Sequence, residues 1–262
     1  MTPLKIYQVD AFTDHVFGGN PAAVVPLRHW LSDDLLQKIA LENNLSETAF
    51  FVKDGDKYLI RWFTPTVEVD LCGHATLASA HVLFHHEAHP FGSIDFYSPR
   101  SGELKVHLKD GRITLDFPKD DIKEIPLSDE LLSCFEPRAI QAFRGKSDVV
   151  LVFRSETEIR NLRFDLTQIE KIPARGVIVT AKGENVDFVS RFFGPQVGVP
   201  EDPVTGSAHT TLIPLWAEKL GKTKLIAQQL SARGGELICE LMGERVAISG
   251  KAVTYMEGRI LL

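Results

Sequence analysis

Cysteine is scarce. The 262 residues hold three, Cys72, Cys134 and Cys239. Their odd number and wide spacing exclude a disulfide framework and paired zinc thiolates. No apolar run approaches the roughly 18 residues that a membrane-spanning helix needs. The first residues, Met1-Thr-Pro-Leu-Lys-Ile-Tyr7, lack a basic-then-apolar signal pattern, so the expected location is the cytoplasm. There is no basic stripe either. Lys and Arg number 29 against 35 Asp and Glu, giving a net charge of −6 spread along the chain. That excludes a nucleic-acid footprint but not a small anionic substrate, which local dipoles rather than net charge would hold. His81 and His85 are one helical turn apart, yet no His-Glu-x-x-His or well-spaced carboxylate accompanies them. Cations at a helix C-terminus are the simpler reading, and no metal or cofactor is expected.

What is present is organised around Asp70-Leu-Cys-Gly-His-Ala-Thr-Leu-Ala-Ser-Ala80. A strand-like run, Tyr58 to Phe63, precedes it, and an almost wholly apolar helix pattern, Ala75 to Phe84, follows. The turn at Cys72, Gly73 and His74 therefore meets a helix N-terminus, whose unpaired N–H groups can hold an anion. The arrangement recurs. Arg61-Trp-Phe-Thr-Pro-Thr-Val-Glu-Val69 matches Arg191-Phe-Phe-Gly-Pro-Gln-Val-Gly-Val199, and Cys72-Gly-His-Ala75 matches Thr205-Gly-Ser-Ala208. Each copy leads into a turn and an apolar helix, so the chain reads as an internal duplication.

Strand patterns cover residues 5–9, 22–26, 49–52, 58–63, 93–97, 103–109 and 112–117 in the first half. In the second they cover 148–153, 176–181, 187–193, 224–229, 236–242, 245–249 and 252–257. Helices are expected from the Ser32 cap, from Ser128, over 166–172 and over 208–220, and 156–162 reads as helix or loop. The charged, proline-flanked segment 118–126 divides two lobes, 1–117 and 118–262, with the terminal strand free to cross back. The expected fold is α+β, each lobe a strongly bent sheet around a central helix.

Where the halves match, fold is the simpler explanation; where they differ, function gains weight. The shared Arg-aromatic-Phe-x-Pro segment reads as structural. Glu47 has no acidic counterpart, since the repeat offset places it opposite Val177. A partly desolvated carboxyl there suits acid/base work, whereas a strand-end Glu facing water is the plain alternative. His74 is either a ligand contact or a satisfied structural histidine. Asp202 either contacts a ligand or braces its own turn. Gly206 and Ser207 can offer N–H groups to a carboxylate or phosphate, although helix capping alone also accounts for Ser207. Cys72, at a helix N-terminus, is expected to have a lowered pKa and so a reactive thiolate; a buried inert thiol is the alternative. The second copy has no cysteine at the matching turn, so a two-cysteine mechanism is not available.

Together, Gly19-Asn-Pro-Ala-Ala-Val-Val25, Asn44-Leu-Ser-Glu-Thr-Ala-Phe50, Arg61-Trp-Phe-Thr-Pro65, Asp70-Leu-Cys-Gly-His-Ala-Thr76 and Glu201-Asp-Pro-Val-Thr-Gly-Ser-Ala-His209 resemble the PhzF-like, phenazine biosynthesis family. The resemblance implies the diaminopimelate-epimerase-like fold: two pseudo-symmetric lobes, each a β-barrel-like sheet round a central helix, with the active site in the cleft between them. It implies a homodimeric, cofactor-independent isomerase acting on a small carboxylated substrate. It places the acid/base carboxyl on Glu47 and substrate contacts on Gly73, His74, Asp202, Gly206, Ser207 and Asn20. Two rivals stay open at this point: an epimerase or racemase pairing Cys72 with Glu47, and a non-catalytic small-anion-binding protein.

Overall fold

Alternating burial marks strands such as Ser93–Ser98, continuous burial marks inner strands such as Phe188–Gly194, and another all-buried run makes a helix, in the computed structural model, which describes residues 3–262. The chain divides into two units, Met1–Asp116 with Ser249–Leu262, and Phe117–Ile248. Its class is mixed α+β.

In the first unit, strands Leu4–Ala11 and Asn20–Leu27 pair antiparallel. Helix α1, Asp33–Asn43, then carries the chain to strand Glu47–Asp54, which lies parallel to Asn20–Leu27 with Ala22 opposite Glu47. A parallel pair needs such a crossover. Ser32 caps α1 by accepting the Leu35 N–H, and Asp33 and Asp34 complement its dipole. Asn44 ends it in the left-handed conformation, φ 50°. Strand Lys57–Phe63 folds back in a hairpin on Glu47–Asp54. Helix α2, Gly73–His85, follows; every residue from Gly73 to Leu83 is buried. Its hydroxyls turn inward at no polar cost, because Thr76 donates to the Cys72 carbonyl (2.6 Å) and Ser79 to the Ala75 carbonyl (2.7 Å). Strands Leu4–Ala11, Asn20–Leu27 and Glu47–Asp54 pack on α2. So does Ala252–Ile260, which pairs along Leu4–Ala11.

In the second unit, helices α3 (Asp129–Ser133), α4 (Glu156–Arg160) and α5 (Leu166–Ile169) are short. Strand Asp148–Val152 runs parallel to Gly176–Lys182, which pairs antiparallel with Phe188–Gly194. The long helix α6, Gly206–Leu220, contains Pro214. Proline offers no N–H to the carbonyl four residues earlier, and the Thr210 carbonyl instead accepts the Asp120 N–H at 3.1 Å. Strand Gln141–Arg144 pairs with Lys123–Ile125 inside what reads from sequence as a plain connection, and strand Val199–Asp202 is likewise additional.

The repeat is visible in side-chain detail. Arg61 donates from Nε and Nη2 to Glu68 at 2.7 and 2.9 Å and lies over the Phe63 ring. Arg191 does the same to Glu201 at 2.7 and 3.0 Å, over Phe193. In each unit this bidentate pair ties a strand to the segment leading into the long helix, which gives the shared arginine its structural role. Strand register also corrects the partner of Glu47. Thr48 faces Phe63 while Val177 faces Phe193, so the position matching Glu47 is Gly176, not Val177. The hairpin beyond these strands is one residue longer in the second unit, which displaces a constant offset by one. Gly176 leaves no room for a side chain: a Cβ there would lie 2.4 Å from the Phe192 ring.

Candidate functional site

Local geometry brings four side chains of the first unit together. Asn20 and Glu47 each begin a strand, and Cys72 and His74 sit at the start of α2. Glu47 Oε2 lies 3.1 Å from His74 Nε2, with the two side chains 16% and 6% exposed. On the ring's other nitrogen, Nδ1, Asn20 Nδ2 approaches to 3.3 Å and Cys72 Sγ to 3.5 Å. Cys72 is the N-cap residue of α2 but makes no side-chain capping bond, so the helix's first N–H groups at Gly73 and His74 are not consumed by it.

Burial works against a charge on His74, and the neighbouring Cys72 and Glu47, in their charged forms, raise its pKa; with Cys72 a neutral thiol near pH 7, the Glu47 carboxylate is the charge that acts there. Protonated His74 pairs with the Glu47 carboxylate by charge across this 3.1 Å contact, and Glu47 Oε2 accepts no well-formed hydrogen bond among the described residues. The stabilisation from this charge is complete below the ordinary imidazole pKa, about 6.5, and is lost as pH rises through the higher folded value.

Cys72 departs from expectation. Burial, reinforced by the negative charge of Glu47, pushes its thiol up to about 11, so it is a neutral thiol near pH 7 rather than an activated thiolate. The helix N-terminus does not compensate for complete desolvation. Cys134 is likewise pushed up to about 11 by burial, and Cys239 is raised further. Native protein should therefore resist alkylation by iodoacetamide at pH 7–8 and release three reactive thiols on denaturation. A thiol alkylated in the folded protein at pH 7 would contradict this placement of the cysteines.

Glu47, Cys72 and His74 place one potential ligand atom each within 4.8 Å of one another. The carboxylate lies 3.1 Å from Nε2, and the sulfur lies 3.5 Å from Nδ1 and 4.0 Å from Nε2.

In the second unit, Asp202, Gly206 and Ser207 gather at the start of α6. Asp202 Oδ2 accepts from Thr205 Oγ1 at 2.5 Å, so it does brace its turn. Gln229, 1% exposed, locks the same turn. Its Nε2 donates to the Asp202 carbonyl (2.7 Å) and its Oε1 accepts the Thr205 N–H (2.9 Å). Ser207 lies inside the helix, past the Thr205 N-cap, and its Oγ accepts from Arg175 Nη1 at 3.0 Å, so helix capping does not account for it. Arg175 is held bidentately by buried Asp148, with Nε to Oδ1 at 2.9 Å, and lies over Phe192. Sequence reasoning does not single out Gln229 or Arg175. Both sit in ordinary strand and loop contexts, and their partners are distant in the chain. His209, one turn into α6, accepts no charge: burial lowers its pKa to about 4, and its Nδ1 bonds the Thr205 carbonyl at 2.9 Å.

His81, towards the end of α2, also differs from expectation. His81 is buried with its Nε2 on Thr254 Oγ1 at 2.9 Å, and burial lowers its pKa to about 3. It is a neutral core residue, not a cation complementing the helix dipole.

Comparison with known proteins places this architecture. The sequence model of the phenazine biosynthesis-like protein family matches residues 9–258. A Pseudomonas aeruginosa protein named as an uncharacterized isomerase is 52% identical over 259 residues, covering 99% of each chain. The crystal structure of a PhzF-family phenazine biosynthesis protein from Enterococcus faecalis superposes with a TM-score of 0.97 at 45% identity, covering 100% of both chains. A hydroxyproline epimerase from Agrobacterium vitis shares the fold, at a TM-score of 0.64 and 11% identity over 98% of this chain and 92% of the other.

Proposed function

The chain belongs to the phenazine biosynthesis-like (PhzF) family and is an isomerase, and from that premise we propose that it shifts a proton on a small carboxylated substrate without a cofactor. Glu47 takes the proton from carbon and returns it at another position. His74 holds the carboxylate in place and, with the Gly73 N–H, stabilises negative charge developing on the substrate. Asn20, Gly73 and His74 of the first unit, and Asp202, Gly206 and Ser207 of the second, are assigned to substrate binding. The observation that carries the reading is the buried 3.1 Å approach of Glu47 to His74 at an α2 terminus with no side-chain cap. The same reading makes the enzyme a cytoplasmic homodimer.

The direct test is NMR of carboxylated metabolites in D2O with catalytic amounts of enzyme. At least one should exchange a carbon-bound hydrogen and be converted to an isomer. Tight binding without exchange in any of them would favour a binding protein instead. Burial of Cys72 as a neutral thiol argues against it as the base of an epimerase pairing with Glu47.

A further inference from the structure

The first unit carries a groove of about 930 Å³ unconnected with the residues discussed above. Buried Leu27, Phe51, Tyr58 and Leu83 contribute its floor, and half-buried Trp30 contributes to the wall. Leu83 lies ten residues beyond Gly73 on α2, so the groove is about 15 Å along the helix from the Glu47–His74 pair.

Its charges are arranged at a cost. Lys5 and Arg259 face each other directly in the register of their antiparallel strands, and both line the groove. Arg28 and Lys53 each lie one residue beyond the last paired positions, Leu27 and Val52, and both line the groove. Like charges at directly opposed positions destabilise a sheet. Lys5 is relieved by Glu87, at 2.8 Å. Arg28, Lys53 and Arg259 have no ion-pair partner among the described residues. Glu257 also lines the groove, which leaves cations in excess.

We propose that this groove is a second binding site, for a phosphorylated small molecule with an aromatic or apolar part. Arg28, Lys53 and Arg259 meet the phosphates, and the apolar floor and Trp30 take the ring. The volume lies within the range of small-molecule sites, roughly 300–1,000 Å³. Phosphate oxygens accept several charge-assisted hydrogen bonds at once and so offset the excess of cations.

The test uses the full chain with ATP, tripolyphosphate and adenosine as probes, at low ionic strength. Trp62 and Trp216 are buried, so Trp30 is the tryptophan placed to report. ATP should change Trp30 fluorescence and raise Tm, with both effects weakening as salt is added. Tripolyphosphate should bind more weakly and adenosine hardly at all. The double variant Arg28→Gln/Lys53→Gln should bind ATP at least about tenfold more weakly in calorimetry. It should also show a higher Tm without ligand, because the repulsion is gone, a gain that a purely structural role for these cations would not produce. Lys53→Gln alone serves if the double variant does not fold. The proposal is overturned if neither ATP nor tripolyphosphate binds, as a groove covered by a second copy of the chain would give, or if ATP binds the variant as tightly as the parent. Neither outcome depends on the isomerase mechanism.

Discussion

Glu47→Gln is expected to slow carbon–hydrogen exchange in the substrate by about 10²–10⁴-fold, the usual contribution of a positioned acid/base group. The amide keeps the shape of the carboxyl and its contact with His74 but can no longer carry a proton away. Binding should change far less than turnover, since the N–H groups of Gly73 and Gly206 are untouched. NMR exchange rates, calorimetric affinity and thermal unfolding of the same variant separate the two effects. Unchanged exchange in a folded variant would sink the assignment of Glu47. Cys72→Ser is the informative control. A thiol pushed up to about 11 is not the working base, so this variant should keep most of the activity.

Arg191→Ala should strongly destabilise the fold. The guanidinium holds Glu201 bidentately, lies over Phe193 and donates to the Ile159 carbonyl at 3.3 Å. Its side chain is 11% exposed, and that of Glu201 23%. Removing the arginine leaves a largely desolvated carboxylate uncompensated and takes away its ring contacts. The cost of breaking a fully buried pair, 3–5 kcal/mol, is reduced here by the partial exposure of Glu201 to about 2–4 kcal/mol. Urea unfolding reads this directly. Glu201→Gln added to Arg191→Ala should restore part of the loss, because the unpaired charge is then gone. A loss below about 1 kcal/mol for Arg191→Ala would show that the repeated pair does not hold the segment before α6.

Much of the architecture is legible in the residues because local rules and tertiary packing agree. Ser32-Asp33-Asp34 caps α1 where the hydroxyl and acids say it should, and the turn at Gly55 sits between two apolar runs that pair as a hairpin. The all-apolar α2 pattern becomes a helix buried on every side. Strand Gln141–Arg144 escapes notice because four residues carry too little periodicity, and its place is set by pairing with Lys123–Ile125. Glu47 and His74 are legible as candidates from motif and asymmetry. Their 3.1 Å contact is not, because it joins a strand start to a helix start 27 residues apart.

By itself the sequence determined the duplication, the two long apolar helices, the α+β class and the family, since each rests on residue types at fixed local spacing. Only the tertiary structure decided the rest. It turned Cys72 from an activated thiolate into a neutral thiol, because desolvation depends on everything packed around the sulfur. It made His81 neutral for the same reason. It matched Glu47 with Gly176 through strand register rather than sequence offset. It supplied Gln229 and Arg175 as braces of the α6 turn, contacts that chain separation hides. Charge state and pairing are properties of the folded surroundings, and no local pattern encodes them.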